Sequence, residues 1–154
     1  MNKIADRNSS QNLPLPTQRA KLNIERTFSE QEYNRLSQGL IPSVMEHKWF
    51  IFMENEVLSF HRSWTGICIY EVHFDDKRVI NEVWANRDNR QYRETDNEYD
   101  EKLLMFLIDN FLLGQNTPFP LPNNIPNNLP KGLYQHNVSG TGYSETEYSK
   151  KKDT

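Results

Sequence analysis

Residues 48–86 carry the strongest secondary-structure pattern in the chain and read KWFIFMENEVLSFHRSWTGICIYEVHFDDKRVINEVWAN. Four runs rich in β-branched and aromatic residues are separated there by three short turns, at Asn55-Glu56, Thr65-Gly66 and Asp76-Lys77. Runs bounded in this way predict strands, and connections this short favour an antiparallel meander. We therefore predict four antiparallel strands, over residues 48–55, 56–64, 67–75 and 78–86.

A helix is predicted on each side of this sheet. Ser29 and Glu32 have the spacing of a capping box that starts the first helix, and Gly39 is suited to ending it. Thr95 and Glu98 repeat the capping pattern before a long apolar segment that stops at Gly114. The expected fold is α+β: a helix, a four-stranded antiparallel β-meander and a second helix.

Proline placement separates one domain from two polar ends. Of the eight prolines, only Pro42 falls within residues 27–114, which we take as a single α+β domain. Residues 1–26 are expected to be a flexible extension largely without helix or strand. Residues 115–154 form a Pro/Asn-rich tail that we expect to pack partly on the core.

Charge and composition exclude several classes of protein. Residues 27–114 carry sixteen acidic against nine basic side chains, which disfavours nucleic-acid binding by the core. No apolar run is long enough for a membrane span, and no signal-peptide pattern is seen. The single cysteine rules out a disulfide framework, so a cytoplasmic location is expected. Neither a metal site nor a cofactor is predicted, since the histidines lack ligand spacing and no phosphate loop is present.

Turn lengths predict which residues face each other in the sheet. Two-residue turns would place Met53 opposite Leu58 and Arg62 opposite Ile69, and the third connection would place Glu71 opposite Glu82. A left-handed bulge at Gly66 would instead move one strand pair by one residue and reverse its faces.

The second face of this sheet is predicted to be too apolar for full exposure to water. The C-terminal tail is the favoured cover. The alternatives are residues 13–16 of the N-terminal segment and a second copy of the chain, which would make a homodimer.

A polar cluster on the first face is the candidate site. Charged side chains surrounded by aromatic surface suggest a pocket in which Arg62 grips a phosphate or carboxylate and a tryptophan stacks on the ligand. The loop after the fourth strand adds arginines near a helix start. The predicted ligand-binding residues are Arg62, Trp64, Glu71, His73, Glu82, Trp84, Arg87 and Arg90. The alternative is structural: Arg62 neutralises Glu71 or Glu82, and the loop arginines balance nearby carboxylates.

A second constellation pairs His61 with Cys68. A Cys/His dyad is able to form a nucleophile, but Cys68 lies in an apolar run typical of an inert buried thiol. We expect the inert interpretation to hold.

Residues 46–74 resemble a group of small bacterial and phage proteins that share a KWFI-type strand followed by FHRSWTG. Residues 61–66 of this chain correspond to that signature. The resemblance implies a cytosolic protein of bacterial or phage origin and implies no particular activity.

Two functions follow from these patterns. The first is binding of a small anionic ligand, such as a nucleotide or another phosphate compound, on the sheet. The alternative is an interaction protein, for example an immunity or defence-type regulator, that docks a partner through the apolar sheet face without catalysis. Whether the protein is an enzyme is left open, with Glu71 or Glu82 as the acid or base and Arg62 as the anion clamp.

Overall fold

A computed structural model describes residues 4–44 and 46–115. The protein has an α+β fold with one antiparallel sheet of five strands in the order β1-β5-β4-β3-β2. The strands are β1 (Arg19–Lys21), β2 (Trp49–Glu54), β3 (Val57–Arg62), β4 (Cys68–Phe74) and β5 (Ile80–Asn86). The helices are α1 (Glu30–Gln38) and α2 (Asn97–Phe106), and α2 continues as a π-helical segment over Leu107–Leu112.

The predicted fold class is confirmed, but the strand count is wrong by one. The additional strand is β1, which pairs antiparallel with β5 at the edge of the sheet. Residues 1–26 were expected to be largely without helix or strand, and Arg19–Lys21 is a strand within that range. Its sequence, RAK, is too short and too polar to be recognised locally, because its pairing with β5 depends on a segment about sixty residues away. The expected C-terminal tail, from residue 116 onward, lies outside the described residues.

The predicted start and end of α1 are confirmed. The Ser29 side chain accepts a hydrogen bond from the backbone N–H of Glu32, whose own side chain accepts one from the backbone of Ser29. Gly39 caps the other end with a φ of 68°. The start of α2 differs by one residue, because Asp96 rather than Thr95 accepts the capping hydrogen bonds.

Strand pairing agrees with the predicted register at one turn and differs at two. Met53 does face Leu58, and Asn55 and Glu56 both have positive φ, as a two-residue turn requires. The pairing of Arg62 with Ile69 is wrong: the backbone N–H of Arg62 donates to the carbonyl of Ile67 instead. The loop between β3 and β4 is longer than two residues, and Gly66 adopts the left-handed conformation there, with a φ of 79°.

A β-bulge then reverses the faces of most of β4. Phe60 pairs with Tyr70 while His61 pairs with Cys68, so Ile69 is an extra residue in β4. Tyr70 consequently points to the side predicted for Glu71, because one inserted residue changes the side-chain alternation. The predicted pairing of Glu71 with Glu82 is also wrong, since Glu71 faces Trp84.

The main core lies between the sheet and the two helices, on a surface that we call the helix face. Its sheet residues include Trp49, Leu58, Phe60, Tyr70 and Val83, which pack with apolar side chains of both helices. The apolar side of the second helix is thus buried on the sheet. Neither helix in the described part of the chain has the length and apolar content that crossing a bilayer requires.

The opposite surface, which we call the second face, is partly covered by the N-terminal segment. Ala5 is buried against Phe50 and Phe52, and the backbone N–H of Leu13 donates to the carbonyl of Gly66 over 2.8 Å. The predicted N-terminal cover was residues 13–16. Leu13 and Pro14 do lie along this face, but the residue buried on Phe50 and Phe52 is Ala5, which lies outside that segment. The favoured cover, the tail, lies outside the described residues.

Candidate functional site

The residues of the predicted polar cluster are divided between the two faces. Arg62 pairs with Trp49 and lies on the helix face. Glu71 and Trp84 face each other across β4 and β5, next to Ser59, on the second face. His73 and Glu82 form the adjacent pair there, beside Val57. The bulge at Ile69 is the reason, because it turns Glu71 and His73 away from Arg62.

Arg62 packs on an aromatic ring of the helix face. Its guanidinium carbon lies 4.8 Å from the centre of the Trp49 ring, a distance at which a cation is attracted to the ring. Burial lowers the pKa of Arg62, while the neighbouring Tyr92 and Tyr70 act in the opposite direction. The predicted partnership of Arg62 with Glu71 or Glu82 is wrong, because those carboxylates lie on the other side of the sheet.

A buried carboxylate organises the helix face. Asp100, at the start of α2, has no solvent exposure. Its Oδ1 accepts hydrogen bonds from the hydroxyls of Tyr70 over 2.5 Å and Tyr92 over 2.6 Å. Its Oδ2 lies 2.6 Å from Nη2 of Arg87. Burial raises the pKa of both tyrosines and the Asp100 carboxylate adds to the effect, so they remain hydrogen-bond donors. The cluster ties α2 to β4 and to the loop after β5.

The loop arginines contact internal carboxylates. Arg87 donates to Asn97 as well as to Asp100. Arg90 forms a fork with Asp88, with its Nε 3.0 Å from Oδ1 and its Nη2 2.9 Å from Oδ2. These contacts support the structural interpretation of the arginine loop, and its role in ligand binding stays a prediction.

Trp64 lies in the loop between β3 and β4 and belongs neither to the Asp100 cluster nor to the Arg90–Asp88 pair. It is 60% exposed, so it is not a core residue. The ammonium of Lys48 lies 5.9 Å from the centre of its ring.

Four of the predicted residues do come together on the second face. Nε2 of His73 lies 3.2 Å from Oε1 of Glu71, and Nε1 of Trp84 donates to Oε1 of Glu82 over 3.1 Å. The guanidinium of Arg19, on the edge strand, lies 5.8 Å from the centre of the Trp84 ring. All four predicted side chains are half-buried and leave part of their surface to solvent.

A groove adjoins this group where the N-terminal segment crosses the sheet. Its volume is about 460 Å³, and residues of β2, β3 and β4 form its sheet side. The charged residues that line it are Arg7, Glu54 and Glu71; the others are Asn12, Leu13, Pro14, Phe52, Asn55, Val57, Ser59 and His61. Glu71 is the one residue shared by the groove and the predicted site.

His61 and Cys68 face each other but do not form a reactive dyad. Burial lowers the pKa of His61 to about 4, against weaker opposing contributions from the backbones of Leu13 and Phe50. Burial also raises the pKa of the Cys68 thiol, and Glu71 adds to that effect. Both groups are therefore neutral near pH 7, which supports the expected inert thiol.

Within residues 4–44 and 46–115, no three histidine, cysteine, aspartate or glutamate side chains are grouped closely enough to hold a metal ion. The pair of Glu71 and His73 therefore lacks a third ligand in this part of the chain.

Three residues were not predicted from the sequence: Asp100 in the helix-face cluster, and Arg7 and Ser59 in the groove. A signal for Asp100 was present, because it lies four residues before Leu104 and seven before Leu107, on the apolar side of the helix. No local pattern marks Arg7 or Ser59. They line one groove only because the N-terminal segment folds across the sheet.

Comparison with known proteins gives no match: no family model, no curated protein and no solved structure is significantly similar to this chain. The resemblance at residues 46–74 therefore stays an expectation, and function is argued from the geometry of the two faces.

Proposed function

We propose that the protein is a binding module for a small ligand, which occupies the groove between the N-terminal segment and the second face. The observation that carries this proposal is the groove itself. Its volume of about 460 Å³ lies in the range of about 300 to 1,000 Å³ that is typical of small-molecule sites.

The lining combines surfaces of the kinds that ligand sites use. Phe52, Val57 and Leu13 provide apolar contact, while Ser59 and Asn12 provide hydrogen-bonding groups. Few, convergent polar groups within apolar walls are the usual means of orienting a small ligand.

Arg7 is the group that suits the anionic part of such a ligand. It meets Glu54 through Nε at 2.8 Å, and the two side chains are 63% and 39% exposed. An ion pair this exposed contributes little stability, so a ligand phosphate or carboxylate can engage the guanidinium at small cost. The arginines predicted from the sequence, Arg62, Arg87 and Arg90, do not line the groove, so the anionic-ligand proposal now depends on Arg7.

The proposal needs no catalytic step. The neutral His61 and the raised pKa of Cys68 do not favour nucleophilic chemistry at the groove. Binding alone accounts for the arrangement.

A thermal-shift screen tests this function. Wild type is screened against nucleotides, sugar phosphates and amino acids, and hits are repeated with Ser59→Trp, which fills the groove, and Ser59→Ala, which leaves it open. A specific ligand should stabilise wild type and Ser59→Ala by about 2.7 kcal/mol at one hundred times its dissociation constant, and should not stabilise Ser59→Trp. If no compound stabilises wild type, or Ser59→Trp binds every hit equally well, the proposal fails.

A protein partner is the second candidate, and exposed Trp64 favours it. Tryptophan is enriched at the energetic centres of protein interfaces, and Leu13, 46% exposed, belongs to the segment hydrogen-bonded to the same loop. A second copy of the chain is one such partner. Light scattering of wild type and Trp64→Ala over a concentration series tests it. A dimer in wild type that becomes a monomer in the variant would support it, and two monomers would exclude self-association through this loop.

A further inference from the structure

The charges of the groove are not balanced. One cationic side chain, Arg7, lines it together with two carboxylates, Glu54 and Glu71. His61 adds no positive charge near pH 7, because burial lowers its pKa to about 4. The groove therefore has an excess of negative charge, which a purely anionic ligand would increase.

The cation lies at one end of the groove. Glu54 contacts Arg7 through Nε. A guanidinium presents five N–H donors, so a bond at Nε leaves its terminal amino groups able to bind a carboxylate. Glu54 belongs to β2, the edge strand, and this end of the groove is open to solvent on the Arg7 side.

The second carboxylate lies at the other end. Glu71 is on β4, and Ser59 separates it from Phe52 on β2. Glu71 is therefore two strand spacings from the edge strand, a distance of about 10 Å. The one side-chain hydrogen-bond partner of Glu71 among residues 4–44 and 46–115 is His73, at 3.2 Å. An ionised carboxylate has about four acceptor sites, so Glu71 retains the capacity to bind a donor in the groove.

His61, on β3, lies between the strands that carry the two ends of the groove. His61 lines the groove and is 3% exposed, and its Nδ1 has no hydrogen-bond partner in the described part of the chain. A buried polar atom without a partner is uncommon and costs stability, so it needs an explanation. A neutral imidazole attracts no anion, so Glu71 is the charged group that a ligand meets beside His61.

We infer that the ligand of the groove is an elongated zwitterion, whose carboxylate binds Arg7 and whose ammonium binds Glu71. The class comprises ω-amino acids, and also lysine when it binds through its carboxylate and its ε-ammonium. This inference depends on the function proposed above and makes it specific. It explains why one arginine and a distant glutamate line the same groove, and why the two ends differ in charge.

Three probes separate the two charges: 6-aminohexanoate carries both, hexylamine carries the ammonium alone, and hexanoate carries the carboxylate alone. Calorimetric titration of wild type should give 6-aminohexanoate at least a tenfold lower dissociation constant than either single-charge probe. Arg7→Gln should remove that advantage over hexylamine. Glu71→Gln should weaken both amines at least tenfold and leave hexanoate unaffected or improved.

Matched controls carry the same changes outside the groove. Arg19→Gln and Glu46→Gln each change an exposed charge that does not line the groove, and they should leave 6-aminohexanoate binding within twofold of wild type. Circular dichroism checks that each variant is folded, and Glu71→Ala serves if Glu71→Gln is not.

The outcomes distinguish this inference from the proposed function. If hexanoate binds as tightly as 6-aminohexanoate, or if Glu71→Gln binds the amines as well as wild type does, the zwitterion is wrong and the groove function stands. Failure of all three probes also overturns the zwitterion. The groove function then depends on whether the wider screen finds a ligand that Ser59→Trp excludes.

Discussion

Acid should destabilise this protein through one buried histidine. The His61 ring is 3% exposed and stacks on Phe52 with 5.4 Å between ring centres. Burial lowers its pKa to about 4, whereas histidine in an unfolded chain titrates near 6.5. Between these values the unfolded chain binds a proton that the folded protein does not. The stabilising contribution is therefore complete above about pH 6.5 and is lost as the pH falls towards 4.

The difference between the two pKa values gives the size of the effect. It corresponds to about 3 kcal/mol, which is a large part of the stability of a domain this small. Urea denaturation at pH 7 and pH 4 measures it. His61→Phe is the matched variant, since phenylalanine keeps an aromatic ring beside Phe50 and Phe52 and takes no proton. Every other titrating group is common to both proteins and cancels in the comparison.

Wild type should lose about 3 kcal/mol more than His61→Phe between pH 7 and pH 4. Local release of the N-terminal segment is a second way for water to reach His61 and protonate it. It would make the loss of unfolding free energy between pH 7 and pH 4 smaller. Hydrogen exchange at the Leu13 amide, which donates to Gly66, reports that release. Equal losses in the two proteins, together with unchanged exchange at Leu13, would refute the assignment of a buried neutral histidine.

Three substitutions test the rest of the fold by denaturation. Asp100→Leu should cost about 3 to 5 kcal/mol because it leaves Arg87 without its carboxylate, and adding Arg87→Met should recover part of that loss; a cost below 1 kcal/mol would contradict the buried network. Trp64→Ala should cost about 1 kcal/mol or less, since the side chain is 60% exposed, and a cost near 4 kcal/mol would indicate a core residue. Gly39→Ala should cost about 2 kcal/mol or more, because its φ is 68° and a Cβ would lie 2.3 Å from the carbonyl oxygen of Ile51. An unchanged midpoint would show that the backbone relaxes there.

The candidate site was only partly accessible to sequence reasoning. Alternation along a strand correctly predicted that His73 and Glu71 share one face of the sheet, where the two side chains are in contact. Alternation failed to predict that Arg62 is separated from Glu71 and His73, because the single inserted residue at Ile69 is not visible in the pattern and reverses the faces of residues 70–73. Arg7 could not be assigned at all, since its position depends on how the N-terminal segment crosses the sheet.

Local sequence was sufficient to predict the helix start at Ser29, the turn at Asn55-Glu56 and the α+β class, because each depends on residues within a few positions of one another. Long-range packing was needed for the pairing of β1 with β5, the faces of β4 and the carboxylate network of Asp100. Those features join segments that are distant in the chain, and they form because burying apolar surface outweighs the weak local preferences of the segments involved. The groove belongs to this second group, since its two walls are separated by about fifty residues and neither wall alone encloses a volume.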